Sequence, residues 1–331
     1  MKSLFLQAFE GTNKRIPVWY MRQAGRYLPE YRALKEKYSL SELFQTPELA
    51  SEVTCQPIKR IGVDAAILFA DILTLPGAMG FDIRFDDKKG PLIGKLPNFS
   101  QVHDFDDLNF VSQTIKLVNQ RLPEDIPLIG FAGSPFTVLT YLVEGSSSIN
   151  FTKTFEFMYT QSEEFHRLMK LLTKNTIKYL EMQKKAGIKA FQLFDSWAGI
   201  LRPADYANYV LPYAKEIFNK VDLPSIYYMR NCSHLLNLMN QTSADFLSVC
   251  HTVVLGHQKT IEKTKKGIQG NLFNGLLLNS DKVHLRKEIK DVVAGGQKHG
   301  RFIFNLSHGV FPGTNPDILK FVTEEVHKVK F

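Results

Sequence analysis

The sequence predicts a single (β/α)8 TIM barrel with its active site at the C-terminal ends of the strands. Three observations carry that prediction. Eight short apolar, β-rich runs alternate with longer helical stretches along the 331 residues. Several runs are nearly continuous in apolar residues, as strands covered on both faces are. No linker or shift in composition divides the chain, and eight alternating units favour a closed barrel over an open doubly wound sheet.

The eight runs are residues 18–23, 65–71, 127–133, 190–196, 225–230, 245–249, 268–272 and 302–307. The segments between them supply helices. Thr46-Pro47-Glu48 reads as an N-cap followed by proline at the first helical position, and Asn315-Pro316-Asp317 opens the last helix in the same way. Residues 151–185 are long enough for two helices, and Lys185-Ala186-Gly187 reads as a glycine stop. The insertion between the second and third runs exceeds a plain crossover, and its Gly-, Asp- and Lys-rich part, 80–94, predicts a hairpin or lid.

Composition narrows the class. The chain is 44% hydrophobic and 22% charged, an ordinary globular balance. No stretch approaches the roughly 20 apolar residues of a membrane helix, and the N-terminus lacks the apolar core and cleavage site of a signal peptide. A cytoplasmic location without membrane association is expected. The three cysteines, Cys55, Cys232 and Cys250, are too few and too scattered for a disulfide framework. The net charge of +8 suits anionic partners. The lysine groups are short and no nucleic-acid-binding motif accompanies them, so no nucleic-acid partner is expected.

In barrel enzymes the strand ends carry the chemistry. Here they read Met21-Arg22-Gln23-Ala24-Gly25-Arg26, Phe69-Ala70-Asp71, Gly133-Ser134-Pro135, Phe194-Asp195-Ser196, Met229-Arg230-Asn231 and Asn305-Leu306-Ser307-His308-Gly309. Arg22 and Arg26 flank a glycine turn; guanidinium forks suit carboxylates or phosphates, or else an ion pair with a residue such as Glu30. Asp71 closes an apolar run, where it can serve as metal ligand, general base, N–H acceptor or helix cap. His308 gains interest from its strand-end position. Tyr141 and Ser196 are hydrogen-bonding candidates.

The run Pro17-Val18-Trp19-Tyr20-Met21-Arg22-Gln23-Ala24-Gly25-Arg26-Tyr27-Leu28-Pro29-Glu30-Tyr31 resembles the N-terminal signature of the uroporphyrinogen decarboxylase family. Gly130-Phe131-Ala132-Gly133-Ser134-Pro135-Phe136-Thr137, continuing to Tyr141-Leu142-Val143-Glu144-Gly145, resembles its second signature. Shorter blocks around Asp71, Ser196, Gly270 and His308 follow in the same order, so the resemblance spans nearly the whole chain.

That resemblance implies one (β/α)8 domain, commonly a homodimer with facing clefts. It implies decarboxylation of the four acetate arms of uroporphyrinogen to methyl groups, with neither metal nor organic cofactor. By the same likeness Asp71 accepts hydrogen bonds from the pyrrole N–H groups at the centre of the macrocycle. Arg22 and Arg26 hold substrate carboxylates, with Arg22 also the proton donor or its organiser. Tyr141 and Ser196 hydrogen-bond near the reacting acetate, His308 binds a carboxylate, and Gln23, Ala24 and Gly25 form the turn whose backbone reaches the substrate. The catalytic pair implied is Asp71 and Arg22.

Three places depart from the family pattern. Val249-Cys250-His251-Thr252 replaces an Asp-Trp pair, Asn271-Leu272-Phe273-Asn274 replaces Asn-Leu-Asp-Pro, and Ser134 replaces alanine. Two rival functions follow from the residues. Cys232, His234, Cys250 and His251 lie after adjacent strands and could form a tetrahedral zinc site of a corrinoid-linked methyltransferase. A non-catalytic tetrapyrrole carrier would need the arginines and not Asp71.

Overall fold

The computed structural model describes residues 3–86, 90–94, 102–105, 108–146, 148–278 and 281–329. Its strands in chain order are β1 (Ala66–Ile67), β2 (Ile83–Asp86), β3 (Gly90–Ile93), β4 (Leu128–Gly133), β5 (Ala190–Asp195), β6 (Ser225–Met229), β7 (Phe246–Ser248), β8 (Gly267–Leu272) and β9 (Phe302–Leu306). Seven of them form one parallel sheet in the order β1-β4-β5-β6-β7-β8-β9. Neighbours in sequence are thus neighbours in space, with helices making the crossovers. Every residue of β4, β6, β8 and β9 is buried, which explains the nearly continuous apolar reading of β4, β6 and β9; β8 also buries Gln269 and Asn271.

The sheet is strongly curled. Gln269 on β8 donates from Nε2 to Oε1 of Gln192 on β5 at 2.8 Å. Those strands are three places apart, about 14 Å in a flat sheet at the usual ~4.8 Å spacing. Curvature alone brings them together. Tyr228 on β6 likewise reaches the carbonyl of Ser307, just beyond β9, at 3.4 Å.

The first expected strand, 18–23, is not one. Only Val18 makes a β-bridge, parallel to Phe304 on β9. Trp19 N–H donates to the Phe304 carbonyl, Phe304 N–H to the Pro17 carbonyl, and Asp64 N–H to the Val18 carbonyl. Beyond Trp19 the chain turns: Gln23 N–H donates to the Tyr20 carbonyl and Met21 N–H to the Asn305 side chain, so no further ladder forms. The second expected strand, 65–71, shortens to Ala66–Ile67. After Leu68 the backbone donors turn to side chains: Phe69 N–H to Thr54 Oγ1 and Leu73 N–H to Asp71. The other six agree with expectation within two residues.

The helix signals hold. Pro47 begins the helix Pro47–Ile61, although Thr46 makes no side-chain cap bond. Asn315 caps Pro316–His327 through the Asp317 N–H. The stretch 151–185 divides into Thr152–Thr160 and Ser162–Ala186, and the second helix stops at left-handed Gly187. β2 and β3 pair antiparallel, giving the hairpin expected within 80–94. One contiguous apolar cluster runs from Phe5 to Val326. Among the described residues no helix is long and apolar enough to cross a membrane.

Asp64 ties the amino-terminal segment to this frame. Its buried carboxylate accepts from Val18 N–H at 2.8 Å and from Arg15 at 3.0 Å, and lies 2.7 Å from Nε2 of His327 on the last helix. The arginine turn begins three residues after Val18, so this knot helps set its position.

Candidate active site

A cavity of about 300 Å³ opens at the C-terminal ends of the strands. Arg22, Ala24, Asp71, Tyr141, Ser196 and His308 line it. Residues separated by almost 300 positions in sequence thus share one space, as the strand-end rule requires. The remaining wall is largely apolar and aromatic, including Phe69, Phe131, Phe194 and Tyr228, with Pro91 contributed by the hairpin. Flat aromatic faces beside a few polar groups suit a planar or domed organic ligand.

Arg22 is held in an unusual way. Its φ of 59° is left-handed, a conformation that a non-glycine residue adopts at a cost and mostly where its surroundings enforce it. The surroundings are visible: Met21 donates to Asn305 and accepts from Val310 N–H, docking the turn on the end of β9. The Arg22 side chain then crosses Gly309, where a Cβ would stand 2.4 Å from its Cδ. Among the described residues Arg22 and Arg26 have no carboxylate partner; Glu30 lies 3.7 Å from Arg60 instead. The internal ion-pair reading is thereby removed, and a cation is left for a ligand.

Asp71 accepts one local hydrogen bond, from Leu73 N–H at 2.8 Å. That Asx turn leads into the short helix Thr74–Ala78, whose N-cap is Leu73 with no side-chain cap bond, so Asp71 shapes the turn before the helix, without capping it, and uses one oxygen. The second oxygen has no hydrogen bond among the described residues. Burial raises the carboxyl pKa, while the Leu73 N–H and the Arg22 charge pull it the other way. A half-buried carboxylate with spare acceptor capacity is suited to ligand N–H groups or to developing positive charge.

His308 is held neutral. Burial, aided by Arg22 and Arg230, lowers its pKa to about 4. Its Nδ1 accepts from Gly309 N–H, which leaves the proton of the neutral ring on Nε2. Burial first, then the Asp71 charge, raises the Tyr141 pKa, so its hydroxyl stays protonated at neutral pH. The Tyr141 ring meets Trp197 edge-on at 5.9 Å.

The remaining turn residues lie differently. Gln23 is fully buried; its side chain accepts from Tyr20 N–H and donates to the Ala65 carbonyl. Arg26 is exposed, and neither it nor Gly25 lines the cavity. Gln23 therefore shapes the turn through its side chain.

Two features escaped sequence reasoning. Tyr228 lines the cavity and sets its ring edge-on to His308 at 6.3 Å. Its inward position follows from strand alternation once β6 is known. Asp195 is buried beneath Ser196, accepting from Thr137 at 2.8 Å and Tyr227 at 2.7 Å. Burial pushes its pKa up to about 6 despite those donors. It ties the end of β5 to Tyr227 on β6 and to Thr137 on the helix Pro135–Glu144.

The zinc arrangement does not assemble. Cys232 and Cys250 are buried free thiols, and the Cys250 thiol together with burial raises the Cys232 pKa; Cys250 Sγ accepts from Asn231 N–H at 3.2 Å and meets Thr252 Oγ1 at 3.0 Å. His234 Nε2 meets the Leu201 carbonyl and His251 Nδ1 meets Ser307 Oγ. Among the described residues no three His, Cys, Asp or Glu side chains converge on a metal position.

Comparison with known proteins agrees with the sequence signatures. The family model described as Uroporphyrinogen decarboxylase (URO-D) matches residues 1–329. A protein named uroporphyrinogen decarboxylase from Thermodesulfovibrio yellowstonii is 45% identical, covering 100% of this chain and 99% of its own. One of the same name from Bacillus subtilis is 40% identical over 98% of this chain and 94% of its own. Among solved structures, a methyltransferase from Methanosarcina mazei superimposes with a TM-score of 0.83, covering 98% of both chains at 18% identity. That likeness supports the curled α/β architecture alone.

Proposed function

This chain belongs to the uroporphyrinogen decarboxylase family, and from that premise we propose that it converts uroporphyrinogen to coproporphyrinogen in tetrapyrrole biosynthesis. It removes carbon dioxide from the four acetate arms and leaves four methyl groups. The observation that carries the reading is the pairing in one cavity of an arginine without an ion-pair partner and a half-buried carboxylate that keeps one oxygen free. An eight-carboxylate macrocycle whose centre is a ring of N–H donors has the complementary pattern.

The chemistry needs an electron sink. Direct loss of carbon dioxide would leave a carbanion on the acetate methylene. Protonating the adjacent pyrrole carbon first gives a cation that accepts the electron pair as the carbon–carbon bond breaks. A second proton then adds to the exposed methylene, the ring carbon gives its proton back, and one proton is consumed overall per arm. The substrate itself supplies what a cofactor otherwise would. Asp71, facing the N–H groups, stabilises the ring cation as it forms. Arg22 fixes the reacting arm and organises proton delivery, because a guanidinium is a poor acid. Tyr141 and Ser196 donate to the acetate, and the Nε2–H of neutral His308 donates to another arm. Arg26 meets an outer carboxylate beyond the cavity, Ala24 forms part of the cavity wall, and Gln23 and Gly25 hold the turn that presents it.

The bonds from Pro17–Trp19 to Phe304 and Asp64 support a further reading. On that support we propose that this segment acts as the eighth stave of a single-domain (β/α)8 barrel. The protein works in the cytoplasm as a homodimer, as the family resemblance implies. Incubating the purified protein anaerobically with uroporphyrinogen, without added metal or cofactor, tests the activity. Products with seven, six, five and then four carboxylates are expected. No loss of carboxylates by folded protein overturns the proposal.

A further inference from the structure

The cavity opens to solvent at the strand ends, so the outer arms of a macrocycle with eight carboxylates reach its rim. The arginine turn supplies Arg22 and Arg26 on one side. A third guanidinium, Arg230, comes from a different part of the sheet and is not accounted for by the roles above.

Its placement is well defined. Met229 at the end of β6 pairs in register with Asp195 on β5. Arg230 therefore leaves the sheet level with Ser196, which lines the cavity. Tyr228, two residues earlier, also lines the cavity and meets the His308 ring. Asn231 follows with a left-handed φ of 55°. The Arg230 carbonyl packs against Gly199 so closely that a Cβ there would lie 1.9 Å from its oxygen. These constraints fix the backbone from which the guanidinium extends. The residue is exposed, and among the described residues it has no ion-pair partner. Its charge is felt at both Tyr228 and His308, alongside that of Arg22. Two cations thus bear on one neutral imidazole that presents an N–H donor, an arrangement complementary to a carboxylate.

We propose that Arg230 is a specificity-determining residue that holds a peripheral carboxylate of the substrate on the β6 side of His308. The proposal rests on the decarboxylase reading for the identity of the ligand. It predicts selection by carboxylate number: uroporphyrinogen binds through this contact, while a tetrapyrrole lacking the arm gains nothing from it. The grip acts on binding and leaves the bond-breaking step to the arginine turn and Asp71.

Arg230→Gln and Arg230→Lys, compared with wild type, test it. Because the side chain is exposed, both variants are expected to fold, which circular dichroism and melting check. In Arg230→Gln the KM for uroporphyrinogen should rise about tenfold with kcat changed less than about twofold, the loss of one charge-assisted contact. Arg230→Lys should fall between. In a histidine-resolved NMR titration, His308 of Arg230→Gln should take up its proton at higher pH than in wild type. A KM within about twofold of wild type in Arg230→Gln overturns the proposal and leaves the decarboxylase reading intact. If wild-type protein turns nothing over, the decarboxylase reading falls. The contact is then judged by fluorescence quenching with uroporphyrin, the stable octacarboxylate. About tenfold weaker binding by Arg230→Gln supports it and equal binding overturns it. Should Arg230→Gln fail to fold, Arg230→Ala, which also removes the charge, decides by the same criteria.

Discussion

Asp64→Ala removes three interactions at once, and their contributions can be estimated separately. The Val18 N–H loses its acceptor in a buried setting, which costs about 1–3 kcal/mol. Arg15 is 43% exposed, so its ion pair contributes no more than about 1 kcal/mol. The hydrogen bond to His327, which is largely covered, adds about 1–2 kcal/mol. The total is about 2–6 kcal/mol, in line with breaking a buried charged network by deleting one member. Urea unfolding at neutral pH would read it as a lower midpoint at unchanged slope. Arg15→Ala is the control and should lose less than about 1 kcal/mol. The damage should also reach the site, because Arg22 lies four residues beyond Val18; the KM for uroporphyrinogen should rise. A loss below about 1 kcal/mol for Asp64→Ala would refute the view that this carboxylate anchors the amino-terminal segment.

Gln269→Leu should destabilise by about 2–4 kcal/mol in thermal unfolding, because Trp19 Nε1–H loses its acceptor and Gln192 and Ser248 lose their donor; an unchanged melting temperature would contradict the buried network. Gly309→Ala should lower kcat/KM by about 10–100-fold with little loss of stability, since the new methyl displaces the Arg22 side chain; kcat/KM within about twofold of wild type would show that Arg22 does not need that path. His308 has a folded pKa of about 4, below its unfolded value near 6.5. The unfolded chain therefore binds the extra proton first, and stability from this group is lost as pH falls from about 6.5 to 4, by at most about 3 kcal/mol. His308→Gln should flatten that part of the stability–pH curve, though half-buried His299, also depressed by burial, keeps part of the slope; an identical curve would contradict a neutral His308.

Much of the fold was legible because parallel strands buried on both faces leave long apolar runs, as in β4, β6 and β9. The first run misled for a physical reason. Trp19 and Tyr20 are buried like strand residues, but the backbone donors beyond them serve a turn and the Asn305 side chain. Apolar character reports burial and does not report which carbonyl a backbone N–H finds. The site was legible in its polar residues, since strand ends and signatures pointed to Arg22, Asp71 and His308. Its aromatic wall was not, because Phe131 and Tyr228 look like any core residue until strand alternation is set. The cysteine–histidine quartet shows the reverse: adjacency after neighbouring strands brought the two thiols together, while His234 and His251 turned to other acceptors.

The central claim is that the free oxygen of Asp71 stabilises charge that develops on the tetrapyrrole. Asp71→Asn keeps the shape of the side chain and removes its charge. Single-turnover decarboxylation of uroporphyrinogen by wild type and Asp71→Asn, at enzyme concentrations that saturate binding in both, isolates the chemical step. The account predicts a rate at least about 100-fold lower in the variant. Decarboxylation at a rate within about twofold of wild type would contradict it.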